Sequence, residues 1–224
     1  MKHLKGNKKQ MRLVLLGGSG HCLDIVGLVL DINNSLHKRR IKKLSIVGIL
    51  SDVEIDSQRF SDSRVQHVGR ISDLNSIDAT HYIIAVGSAQ DRLTIFKKIQ
   101  TDLQAATLIH PSVAAGFGCT FGEGTVILGG TRLSPKCTIG NHVYVSHGVL
   151  IGHETKISNF CSIFPGANIA GNASLGLAAT AGSGCTVIEK IVVNDYAYIA
   201  AGSVVIREVP HGAKVMGAPA KERS

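Results

Sequence analysis

The sequence predicts two parts: a small α/β domain on a parallel sheet, then an all-β left-handed parallel β-helix. Three observations lead there. An apolar run near the start opens into a glycine-rich turn and a helix-like segment. Through the second half a large aliphatic residue returns at every sixth position. Aromatic residues make up 4% of the chain, with no Trp, against 25 Gly in 224 residues. With 44% hydrophobic residues the chain can bury a core of Val, Ile, Leu and Ala, which suits a narrow, regular β architecture better than a bulky-cored globule.

Residues 1–10, MKHLKGNKKQ, read as a basic flexible tail. They lack the apolar run and small-residue cleavage site of a signal peptide. No apolar stretch reaches the roughly 18 residues of a membrane span, so the expectation is a cytoplasmic protein. The net charge of +8 is concentrated at the start: residues 1–43 hold ten Lys/Arg against Asp24 and Asp31, and the remainder balances. That distribution reads as solvated basic surface, not as a nucleic-acid stripe.

Residues 11–106 read as a small Rossmann-like α/β domain. Arg12 to Leu16 is a short buried strand, followed by Gly17-Gly18-Ser19-Gly20-His21 and a helix-like CLDIVGLVLDIN. Ser45 to Leu50 is a second strand, ending in Ser51-Asp52. His81 to Val86 is a third, running through Gly87-Ser88 into DRLTIFKKIQ. Strand, glycine-rich turn, helix, strand is a βαβ unit. Such a turn presents backbone N–H groups at the positive end of a helix dipole, where a phosphate or nucleotide is favoured. It is also simply a tight reversal, and it is not the full GxGxxG, because position 23 is Leu.

Residues 107–224 read as the β-helix. Every sixth residue from Phe121 to Val205 is large and apolar, Ala181 excepted, and the position four residues later is almost always small, from Thr125 to Ser203. Neither a 3.6-residue helix nor a period-2 strand makes this pattern. A short strand and a sharp turn every six residues does, three such units closing a triangular coil. Gly often follows the large residue, as at Gly140, Gly152 and Gly176, and is expected to supply positive φ at the corners.

Cys119, Cys137, Cys161 and Cys185 all fall in the small phase and read as buried small hydrophobes. With no CxxC pair, neither disulfide nor metal use is expected. His142, His147 and His153 lie on the prism. The His142-x4-His147 spacing admits a metal-dependent hydratase, but the positions stacked under His142, Gly124 and Ala106, ligate no metal.

The hexad pattern resembles the hexapeptide-repeat acyltransferases, which implies a homotrimer with acetyl-coenzyme A in the groove between neighbouring prisms. GGSGH after a first strand, a domain of about 100 residues, and LIHPSV (Leu108–Val113) leading into the repeats sharpen the likeness. Together they resemble the bacterial sugar acyltransferases grouped with sialic-acid O-acetyltransferases, which include N-acetyltransferases of nucleotide-linked 4-amino-dideoxy sugars.

That resemblance implies Gly18, Ser19, Gly20 and His21 lining the site of the nucleotide-linked amino sugar, with Ser51 and Asp52 beside it. His153 would be the base that takes the amine proton, and Glu154 would orient its ring and favour its charged form. Ser162, where many relatives carry a second His, would contact acetyl-CoA near the thioester. Backbone around Ser183 and Ala201, and Gly217 in the segment Gly217–Lys221, would complete the coenzyme site. His147 shares the repeat phase of His153 but lies on a different face.

The function implied is acetyl-CoA-dependent N-acetylation of a nucleotide-linked amino sugar for a bacterial surface glycan such as lipopolysaccharide or capsule. O-acetylation of sialic acid or a related sugar is the alternative. A non-catalytic protein binding sugar nucleotides on the same fold is a third reading.

Overall fold

The computed structural model describes residues 10–38 and 44–222. Most of the predicted tail, and most of the basic residues around the turn after residue 38, lie outside them.

The first part is a five-stranded sheet, all parallel: β1 (Arg12–Leu16), β2 (Ser45–Leu50), β3 (His67–Gly69), β4 (His81–Ile84) and β5 (Gln104–Ala105), in the order β3-β2-β1-β4-β5. β1 is central and apolar on both faces, as a strand covered on both sides must be. Leu13 and Leu15 join one buried cluster, while Val14 and Leu16 join another.

Helix α1 (Gly20–Lys38) covers the first face. Its Cys22, Ile25, Val26, Leu28 and Val29 recur at helical spacing and are buried there. Helix α2 (Ala89–Lys98) starts on Ser88, whose hydroxyl accepts the Asp91 amide, and ends with Lys97 and Lys98 where the dipole favours cations.

The second part is a three-faced prism of two-residue strands. Each strand pairs in parallel with the strands eighteen residues before and after it, so Thr138 faces Thr120 below and Lys156 above. The large aliphatics form one continuous core with the small phase, Cys137, Ala167, Ala173, Ala179 and Cys185 among it. All five cysteines are free thiols, and burial pushes the Cys161 and Cys185 thiols up to about 12.

Two expectations are corrected. The ladder starts two strands before Phe121, at Leu108–Ile109 and Ala114–Ala115, which complete the first coil; the small Ala115 in a large position concealed them. The glycines after the large residues do not make the corners, either. Every sixth residue from Gly118 to Gly202 has φ between +52° and +77°, and eight of these are not glycine, among them His142, Glu154, Phe160 and Tyr196. Each αL residue costs roughly 1–2 kcal/mol. Its amide compensates by bonding to the coil below, as His142 N does to Glu123 O (2.7 Å) and Glu154 N to Pro135 O (3.0 Å).

Gly140, by contrast, is required by close stacking. A Cβ there would sit 2.5 Å from Asn159 Oδ1 and 2.8 Å from its backbone N.

The two parts are packed together. Val126, Leu128 and Tyr144 point out of the prism yet are buried, because they share a cluster with α1 and the sheet. Tyr144 donates from its hydroxyl to Asp24 Oδ2 of α1 (3.0 Å). Among the described residues no helix is long and apolar enough to cross a membrane.

Candidate functional site

Chain order reverses at β1, which has β2 on one side and β4 on the other. In open α/β sheets ligands bind in the crevice at the carboxyl ends of such strands. Here the crevice is bounded by Gly17–His21 after β1 and by Ala85–Ser88 after β4.

Gly17 has φ +105°, and a side chain there would meet Val86 Cγ2 at 2.5 Å; Ile55, a residue with no sequence signal, closes over Gly18. Ser19 and Gly20 are exposed at the start of α1. His21 is half-buried, with its ring edge-on to Tyr144 (centroids 5.1 Å) and 5.8 Å from Phe164. Burial pulls its pKa down, Asp24 works against that, and Arg92 adds to it. Gly87 has no room for a Cβ because the imidazole of His21 occupies that space. The turn therefore faces both β4 and the prism.

Ser51 and Asp52 sit at the end of β2 but are largely occupied. The Ser51 hydroxyl is buried in its own turn, donating to Val53 O (2.9 Å) and accepting from Val53 N (3.2 Å). Asp52 turns Oδ1 to the Ile71 amide (3.0 Å) and lines a separate cavity with Ile71, Ile95 and Lys98. The turn itself adjoins the glycine-rich one, because the Gly17 amide donates to the carbonyl of Leu50, the residue before Ser51 (2.8 Å).

Next to the crevice lies a groove of about 540 Å³ that the sequence did not reveal. Ser88, Ala89 and Gln90 at the start of α2 form one wall, and Phe164, Thr180, Tyr196, Tyr198 and Lys214 of the prism form the other. Ser88 alone left a trace in the sequence, as a helix cap after an apolar strand. The prism residues are separated by up to fifty positions and meet only because coils stack.

On the prism, His153 and Glu154 stand together at an open corner. Their side chains are 61% and 49% exposed, and His153 Nδ1 lies 3.2 Å from Glu154 Oε2. Asn172 Nδ2 is 3.5 Å from the same nitrogen. The ring lies over the next coil at Gly171, where a Cβ would stand 2.7 Å from Nε2. With Nδ1 tied to the carboxylate, Nε2 is the nitrogen left for an acceptor group.

Ser183, Ala201 and Gly217 are exposed. Ser183 and Ala201 follow strands of the face that meets the first domain, whereas His153 follows a strand of another face. One chain therefore does not assemble them. His147 is exposed at the same corner column as Ser183, eighteen-residue steps below it.

Ser162 requires a correction. It is 0% exposed, donates to Gly87 O at 2.6 Å and accepts from Arg92 Nη2 at 3.0 Å. Closed in by the first domain, it offers nothing to a coenzyme in this arrangement.

Residues 12–99 match the PglD N-terminal domain. Among solved structures, perosamine N-acetyltransferase from Caulobacter crescentus, in complex with CoA and GDP-perosamine, superposes with a TM-score of 0.83 at 21% identity, covering 95% of this chain and 96% of that one. The acetyltransferase domain of PglB from Neisseria gonorrhoeae gives 0.83 at 21%, covering 96% and 100%. Curated relatives are serine acetyltransferases: that of Synechococcus elongatus is 29% identical over 105 residues, 42% of this chain and 43% of its own. Serine acetyltransferase 4 of Arabidopsis thaliana is 27% identical over 184 residues, 78% and 47%. The chain spans about half the length of these curated relatives. Its first domain is thus matched to the PglD N-terminal domain, and the chain as a whole has the two-part, hexapeptide-repeat fold of the perosamine N-acetyltransferase and the PglB acetyltransferase domain.

Proposed function

We propose that this protein is an acetyl-CoA-dependent N-acetyltransferase acting on the amino group of a nucleotide-linked 4-amino-dideoxy sugar. The observation that carries the reading is the pairing of two sites in one fold: a phosphate-compatible crevice at the switch point, and a prism whose open corner bears His153 hydrogen-bonded to Glu154. The nucleotide end of the acceptor binds at Gly18–His21 and the adjoining groove; aromatic side chains, Lys214 and helix-start amides suit a base and its phosphates.

The chemistry follows from the groups present. The sugar amine attacks the thioester carbonyl, His153 Nε2 takes the amine proton, and Glu154 stabilises the imidazolium. The tetrahedral intermediate then collapses, expelling CoA thiolate, which leaves as the thiol after taking a proton. Backbone at Ser183, Ala201 and Gly217 lines the coenzyme's path.

A homotrimer is part of the same proposal. His153 and Ser183 lie on different faces of one prism, so a site that uses both needs two chains. Apolar Leu150 and Val192 stand exposed on the two faces away from the first domain, available to such contacts. The reaction is placed in the cytoplasm, in lipopolysaccharide or capsule biosynthesis.

The test is release of free CoA from acetyl-CoA with a panel of GDP-, UDP- and dTDP-linked 4-amino sugars. Acetylation of at least one is expected. Acetylation of free sialic acid with none of the amino sugars touched replaces the reading with O-acetylation. A thermal-shift series with the three nucleotides alone identifies which one the first domain holds.

A further inference from the structure

Arg92 on α2 is 2% exposed, yet no carboxylate pairs with it among the described residues. Burying a guanidinium is costly unless its donors are met. Here neutral oxygens on both parts of the molecule meet them. Nη1 donates to Val86 O (2.8 Å) and Gly87 O (3.0 Å), on the rim of the crevice. Nε donates to His142 O (3.0 Å), and Nη2 faces Phe160 O (2.9 Å), Cys161 O (2.8 Å) and Ser162 Oγ (3.0 Å), all on the prism. Ser162 closes the loop by donating to the same Gly87 oxygen at 2.6 Å. Gly87 in turn has the His21 ring seated against its Cα.

We propose that Arg92 and Ser162 are positioning residues that hold the Gly87 carbonyl, and through it His21 and the acceptor crevice, at a fixed place on the prism. The inference rests on the acyl-transfer reading above for its effect on rate, but not for its effect on structure. A planar fork with five N–H donors can serve carbonyls arranged around it; an ammonium with three cannot. A misplacement of about 1 Å between bound reactants lowers a rate on the order of 100-fold. A rigid joint between the substrate domain and the catalytic prism is therefore a device for rate. It also accounts for a small hydroxyl at position 162: with Gly87 O 2.6 Å away and no exposure, a larger side chain would part the two domains.

Ser162→Ala and Arg92→Lys test this in the full chain. Hydrogen–deuterium exchange of the amides of residues 85–92 should quicken roughly tenfold in Ser162→Ala, the loss of about one buried hydrogen bond. Under acetyl-transfer assay, kcat should fall about tenfold or more with KM for acetyl-CoA within twofold, and Arg92→Lys should fall further. Exchange unchanged in Ser162→Ala overturns the proposal, and this arm needs no acceptor sugar, so it stands even if the sugar assignment fails. Faster exchange with kcat unchanged overturns the positioning role and leaves only a packing one. An acetyl-CoA KM raised tenfold with exchange unchanged assigns Ser162 to the coenzyme instead. Should Arg92→Lys fail to fold, Ser162→Ala decides alone.

Discussion

His142 and His153 lie eleven residues apart on the same repeat and have opposite environments. His142 occupies an αL corner that the first domain covers. It is 4% exposed, its ring stacked on Phe160 (5.1 Å, 12°) and flanked by Phe96 and Tyr82. Among the described residues its Nδ1 has no hydrogen-bond partner; the ring lies against Gly124, where a Cβ would overlap it. Desolvation, with Arg92 adding to it, pulls its pKa down to about 4. His153 occupies a corner left open by the described residues, 61% exposed, with a carboxylate beside one nitrogen. The prism treats its corners alike; what the first domain covers becomes core, and what it leaves open is available for chemistry.

Four substitutions would break or sharpen that contrast. The largest effect is expected at the open corner. Replacing His153 by Ala should lower turnover on the order of 10²–10⁴-fold, as for loss of a general base, while the melting temperature moves little because the side chain is exposed. Full activity in that variant would move the chemistry elsewhere.

The covered corner should show itself as a pH dependence of stability. His142 binds a proton near 6.5 in the unfolded chain but only near 4 in the folded one. Between those values the unfolded state holds more protons, so stability falls as pH drops from about 6.5 to about 4. The total is on the order of 3 kcal/mol by that spacing. Urea unfolding at several pH values should show this slope, and His142→Phe should flatten it while keeping the ring stack.

The smallest effects separate the two kinds of corner position. Gly140→Ala should destabilise by roughly 1–3 kcal/mol, since its Cβ would press on Asn159 of the next coil. Lys190→Gly, at φ +62°, should be neutral or stabilising by up to about 1 kcal/mol, because glycine pays no αL penalty there. The reverse order in thermal melts would mean that corner strain, not coil stacking, limits the prism.

The repeat was legible because it is local: each hexad states its own strand, turn and core residue, and stacking only copies the statement. The first domain's strands and the GGSGH turn were legible for the same reason, since pattern and turn chemistry lie within a few residues of each other. His153-Glu154 could be read because adjacent residues carry it. Three things could not be read. Ala115 hid the first two strands of the ladder, because one small residue breaks a pattern that backbone pairing still maintains. The αL corners were assigned to the wrong glycines, because a chain of hydrogen bonds between coils lets Lys, Phe and Tyr hold a conformation that propensity denies them. Arg92 gave no signal at all, since its acceptors are backbone carbonyls and one hydroxyl, Ser162, seventy residues away.

The amino-acid sequence by itself determined the two-part architecture, the prism and its ladders, the crevice turn and the His153–Glu154 pair. Each of these depends on neighbours within about eighteen residues. Only the tertiary structure decided that Ser162 is sealed beneath Gly87 and Arg92, that His142 is core while His153 is open, and that Phe164, Tyr198 and Lys214 share a groove with the start of α2. These depend on how the first domain sits against one face of the prism. That docking is set by shape and by backbone oxygens, which every residue possesses.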